Sequence, residues 1–108
     1  MLHGFTGSGE NWNHLLPAFT PHFRVITIDL PGHGATEAPS DPTHYSIENT
    51  AAGVAAILDS LKIDRAAILG YSMGGRVAFF FALEYPERVN ALILESASPG
   101  LATAQERA

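Results

Sequence analysis

The 108 residues carry six Lys and Arg against eleven Asp and Glu, a net charge of −5, with 46% hydrophobic residues and no cysteine. That balance fits one small globular domain without a basic surface for nucleic acid or membrane. It also excludes disulfides, thiol catalysis and cysteine–zinc sites. No stretch approaches the roughly 18 apolar residues needed to span a bilayer. No basic segment followed by an apolar run marks a leader, so the expectation is a soluble, cytoplasmic protein.

In chain order, Met1-Leu2 runs straight into a turn-rich loop, His3-Gly4-Phe5-Thr6-Gly7-Ser8-Gly9. Asn11 is expected to cap a short helix whose Trp12, Leu15, Leu16 and Phe19 form one apolar face, stopped by Pro21. Phe23 to Leu30 is rich in β-branched residues and reads as a buried strand ending in Asp29-Leu30. Pro31-Gly32-His33-Gly34 opens a long loop to Tyr45, with His33 expected to serve the turn. Ser46 is the expected N-cap of a helix to about Leu61, with Ile47, Ala51, Val54, Leu58 and Leu61 on one apolar face. A strand from Ala66 to Leu69 follows. The next helix is apolar nearly all round and ends at Tyr85-Pro86. Val89 to Leu94 reads as another strand, and Leu101 to Ala108 as the start of a further helix. Strands with continuous apolar runs, alternating with helices, imply an α/β fold: a parallel sheet with helices on both faces.

The segment Gly70-Tyr71-Ser72-Met73-Gly74 spells G-x-S-x-G between a strand and a helix. This pattern holds a serine on a strained strand-to-helix turn, its hydroxyl exposed above the sheet edge and the next backbone N–H aimed at an oxyanion. Ser72 is therefore the candidate nucleophile or base, and the amide of Met73 one candidate oxyanion donor. His3-Gly4-Phe5 is the candidate second donor loop, through the amide of Phe5. Arg76, one helical turn after Ser72, lies on the same helix face and is a candidate for holding a substrate carboxylate. Tyr71 offers a hydroxyl or an aromatic wall, or simply packs. Glu95, at a strand end, is candidate polar lining. No metal-ligand spacing is present, and no cofactor is expected.

A base for Ser72 is harder to place. All five histidines (His3, His14, His22, His33 and His44) precede it, and no aspartate or histidine follows. A rearranged triad using His33 or His44 is the weaker solution, and His14 and His22 read as exposed helix-end residues.

Together these residues resemble the α/β-hydrolase superfamily over essentially the whole chain. Within it the chain is most similar to the 2-succinyl-6-hydroxy-2,4-cyclohexadiene-1-carboxylate synthases, lyases of menaquinone biosynthesis. The segments that carry this are His3 to Ser8 with Trp12, Gly70 to Arg76, and Glu95 to Leu101. The resemblance implies a cofactor-free elimination of pyruvate from a succinyl-bearing cyclohexene carboxylate, with a triad serine as proton-abstracting base and Tyr71 and Arg76 at substrate-binding positions. It implies a small-molecule carboxylate as partner and says nothing of an oligomer. A serine esterase, a carbon–carbon bond hydrolase and a non-catalytic protein that keeps only the elbow remain open.

The resemblance also implies a partial fold, with residues 1–100 as an incomplete core and 101–108 as the start of a cap. Most of a central strand before His3 and all of the C-terminal strands would be missing, from an enzyme of roughly 250 residues. The 108 residues alone are then expected to be inactive and weakly stable.

Overall fold

The computed structural model describes residues 1–100 and 103–107. The expected cap start at Leu101 and the chain end at Ala108 lie outside the described residues, so the 101–108 unit rests on the helix Ala104–Arg107 alone.

The regular elements are α1 (Leu16–Phe19), α2 (Ile47–Ser60), β1 (Ala66–Tyr71), α3 (Met73–Glu84), β2 (Val89–Glu95) and α4 (Ala104–Arg107). β1 and β2 pair in parallel, from Ala67 opposite Ala91 to Tyr71 opposite Glu95. Parallel neighbours need a crossover, and α3 supplies it. α3 packs on both strands and α2 packs on α3. Leu2, Leu30, Val54, Leu58, Ile68, Val77 and Phe81 form the buried core between them. Arg88 locks the far corner: Nε donates to the carbonyl of Asp64 at 2.6 Å and Nη2 to that of Ile63 at 2.8 Å, with Asp59 2.9 Å away.

Ser46 caps α2 as expected, its hydroxyl accepting from the amide of Asn49 at 3.1 Å. Ala51, Val54 and Leu58 are buried, but Ile47 and Leu61 are 39% and 37% exposed. They sit at the two ends of the stripe, beyond the surface that α3 covers.

Three expectations are corrected. Residues 23–30 form no regular strand: only Ile28 makes a bridge, to Leu2, and Phe23 is 62% exposed. A strand exists through its partners, and here only Met1 and Leu2 supply them. Leu2 also bridges to Gly70, and Met1 donates to the carbonyl of Ile26 and accepts from the amide of Ile28, so these two residues lie between residues 23–30 and β1, in the place expected of a central strand.

The first helix is not capped by Asn11. Ser8 is the cap of a 3-10 helix, Gly9–Trp12, and Asn11 is the reciprocal partner of that capping box. The α-helical part begins only at Leu16.

α3 is not apolar-buried all round. Leu83 is 65% exposed, because among the described residues only the sheet side and the α2 side of this helix are covered.

Candidate active site

Three glycines let strand, turn and helix close to contact distance around Ser72. A Cβ at Gly70 would fall on the carbonyl of Gly74 and 2.7 Å from the Cα of Gly75, and one at Gly74 would fall on the carbonyls of Leu2 and His3. At Gly75 it would collide with the Cβ of Ala97. Ser72 itself has φ 50° and ψ −112°, a left-handed conformation that costs a non-glycine residue about 1–3 kcal/mol. Its hydroxyl caps no amide of α3. Its own N–H donates to the carbonyl of Glu95 at 3.0 Å, which ties the turn to the end of β2.

The opposite wall is the loop after Leu2. His3 is buried and its ring is fixed at both nitrogens. Nε2 accepts from the N–H of Leu30 at 2.9 Å, so Nδ1, 2.7 Å from the carbonyl of Gly4, carries the proton. The loop thereby hangs from the same segment that ends in Asp29. There the carboxylate accepts from the amides of Gly9 at 2.6 Å and Ala35 at 2.9 Å. The Ala35 bond and then the Gly9 bond hold the Asp29 carboxyl below the usual carboxylate range. A Cβ at Gly34, where φ is +53°, would fall on that same carboxylate.

These supports bring Phe5, Ser72, Met73 and Arg76 to one cleft of about 380 Å³, joined by Ser96 and Ser98. Among the described residues, no group accepts from the amides of Phe5 or Met73. The arrangement can present two backbone donors and a cation beside a serine hydroxyl.

Tyr71 lines an adjoining cleft that shares Phe5 with this one. His3, Gly4, Trp12 and His14 line that second cleft with it. Phe5, 74% exposed, lines both clefts. In the second, the buried indole N–H of Trp12 has no hydrogen-bond partner.

Neither His33 nor His44 lines the Ser72 cleft. His33 sits 2.9 Å from the carbonyl of Pro31 through Nδ1 and stacks near the His3 ring at 5.0 Å, a loop-holding role. Glu95 likewise serves through its backbone, while its carboxylate accepts from the Ser96 hydroxyl at 3.2 Å. The sequence reasoning missed Ser96, Ser98 and the tie through Asp29. An acid closing a strand before Pro-Gly-x-Gly was the available signal for Asp29; for the serines it was their place in the Glu95 to Leu101 segment that carries the family resemblance. Among the described residues no cluster of three or more His, Asp or Glu could hold a metal, and no helix is long and apolar enough to cross a membrane.

Comparison with known proteins matches residues 1–107 to the alpha/beta hydrolase fold family. A Bacillus subtilis (strain 168) protein named as a 2-succinyl-6-hydroxy-2,4-cyclohexadiene-1-carboxylate synthase is 50% identical, over 98% of this chain and 38% of its own length. A 2-hydroxy-6-oxo-2,4-heptadienoate hydrolase of Pseudomonas putida is 39% identical, over 90% of this chain and 36% of its own. Among solved structures, MenH from S. aureus superposes with a TM-score of 0.85 at 39% identity, covering 94% of this chain and 38% of that one. The chain thus spans about two fifths of the length of these relatives. It belongs to the α/β-hydrolase family.

Proposed function

We propose that this member of the α/β-hydrolase family is part of a cytoplasmic lyase that eliminates pyruvate from a succinyl-bearing cyclohexene carboxylate, giving 2-succinyl-6-hydroxy-2,4-cyclohexadiene-1-carboxylate. The observation that carries the reading is Arg76 lining the same cleft as Ser72, Met73 and Phe5. A plain ester needs no cation beside the serine, whereas a carboxylate-rich substrate does. The 50% identity to the Bacillus subtilis protein supports the same reading.

In the proposed reaction Ser72 acts as a base on the ring C–H next to the succinyl carbonyl. The electron pair moves into an enolate-like oxyanion, held by the amides of Phe5 and Met73, and then expels the enolpyruvyl group across the ring. The expelled group takes up a proton and leaves as pyruvate. Ser72 needs a partner to accept its own proton, and the chain has no histidine after it. We place that partner in the length of the relatives that this chain does not span.

A second reading, serine-dependent cleavage of an ester or a carbon–carbon bond, is favoured by the 39% identity to the Pseudomonas putida hydrolase. The test uses protein expressed over its full reading frame. It is given the succinyl-cyclohexene substrate, a ring-cleavage dienoate and a panel of simple esters, with pyruvate release followed by a coupled assay. Pyruvate formation lost in Ser72→Ala is the expected result. Turnover of esters or the dienoate alone would replace the lyase reading with the second one, and no turnover of any of them would favour a non-catalytic protein.

A further inference from the structure

The turn after β2 faces the Ser72 cleft and is built at a cost. Ser96 has φ 50°, the same left-handed value as Ser72, although it is not glycine. Strain of this kind persists only where surrounding contacts over-determine it, and it gathers at ligand-binding segments. The contacts are visible on both sides. The carbonyl of Glu95 accepts from the amide of Ser72, and the Cβ of Ala97 sits where a side chain at Gly75 would be. The turn is therefore registered against both the elbow and the first turn of α3. It brings Ser96 and Ser98 to the wall shared with Arg76. Among the described residues the Arg76 guanidinium and the Ser98 hydroxyl have no partner, while the Ser96 hydroxyl donates to the Glu95 carboxylate at 3.2 Å.

We propose that the Ser96–Ser98 turn is the second half of a carboxylate subsite, in which the Ser98 hydroxyl binds the anion beside Arg76. Ser96 is a positioning residue. Its backbone aims the turn, and its hydroxyl holds the Glu95 carboxylate, which does not line the cleft, away from an incoming anion. The inference rests on the Ser72 cleft being the active site and extends it to residues that set substrate choice. A guanidinium with one adjoining hydroxyl suits a carboxylate of an aliphatic arm, such as the succinyl end of the proposed substrate.

Succinate serves as the probe, titrated by NMR into protein expressed over its full reading frame, alongside KM for the succinyl-cyclohexene substrate. Ser98→Ala is expected to weaken succinate binding and raise KM by about tenfold, the size of one hydrogen bond to a charged partner. Ser96→Gly tolerates φ 50° and removes the hydroxyl. It is expected to leave the urea midpoint unchanged or higher, yet to weaken succinate several-fold. A merely structural serine would move stability and affinity together. Wild-type protein that fails to bind succinate, or a Ser98→Ala variant with unchanged succinate affinity and KM, overturns the proposal. Succinate binding lost in Ser98→Ala but without pyruvate release would sustain this subsite while removing the lyase reading.

Discussion

His3 accepts a hydrogen bond from the backbone N–H of Leu30 through Nε2, at 2.9 Å, and so suspends one wall of the cleft from the segment that ends in Asp29. The Leu30 amide is buried with it, and this ring nitrogen is the acceptor it has. His3→Ala should destabilise the fold by about 2–4 kcal/mol, from an unpaired buried N–H and a lost buried ring. Urea unfolding measures this. If the amide of Phe5 is an oxyanion donor, displacing its loop also lowers kcat by on the order of 10²-fold. Unchanged stability would show that the bond holds nothing.

Asp29 makes that support pH-dependent. Its carboxyl is held below the usual range by the Ala35 and Gly9 amides, so the unfolded chain binds more protons in the acid range. The stabilisation is complete above the ordinary aspartate pKa of about 4 and is lost as pH falls through the lower folded value. Asp29→Asn should flatten the acid limb of a stability–pH curve. An unaltered limb would rule the carboxylate out as its source.

Two glycine-to-alanine exchanges should move in opposite directions. At Gly74 a Cβ would meet two carbonyl oxygens that cannot yield, those of Leu2 and His3, and the expected cost is about 4 kcal/mol or more. At Gly53, inside α2, nothing lies within 4 Å of the added carbon. There alanine should stabilise by about 0.5–1 kcal/mol through helix propensity. Thermal or urea melts of both variants decide it.

Arg88 should matter through its two carbonyl contacts more than through its ion pair. Asp59 is 67% exposed, so Asp59→Ala should cost under about 1 kcal/mol. Arg88→Ala leaves the carbonyls of Ile63 and Asp64 without their shared donor and should cost about 1–3 kcal/mol. Equal losses in the two variants would assign the whole effect to the ion pair.

If Ser72 carries the chemistry, Ser72→Ala removes activity by at least about 10³-fold. Ser72→Gly should instead raise the melting temperature while being equally inactive, because glycine adopts φ 50° without strain. A less stable Ser72→Gly would contradict the strain assigned to this turn.

The elbow, the Ser46 cap, both paired strands and the helix between them were legible in the sequence because each depends on neighbours along the chain: a glycine two positions away, a proline after a helix, a run of β-branched residues. The candidate pair Ser72 and Arg76 was legible for the same reason, one helical turn being a local distance. What failed depended on residues far apart. Residues 23–30 look like a strand, yet pairing belongs to their neighbours, and only Met1 and Leu2 supply it. The cap is the exception, a local signal misread: Ser8 is the N-cap and Asn11, three residues on, is its capping-box partner. Tyr71 lines the cleft with His3, Gly4 and Trp12, next to the one that Ser72 lines, and Gly4 lies against both the Tyr71 ring and the Ser72 side chain.

The G-x-S-x-G turn and its neighbouring cation were thus determined by sequence alone, since short-range sterics leave that segment few conformations. Tertiary structure alone decided which side chains share the cleft with them. Ser96 and Ser98 enter it through contacts between β2, α3 and the His3 loop that no local pattern encodes.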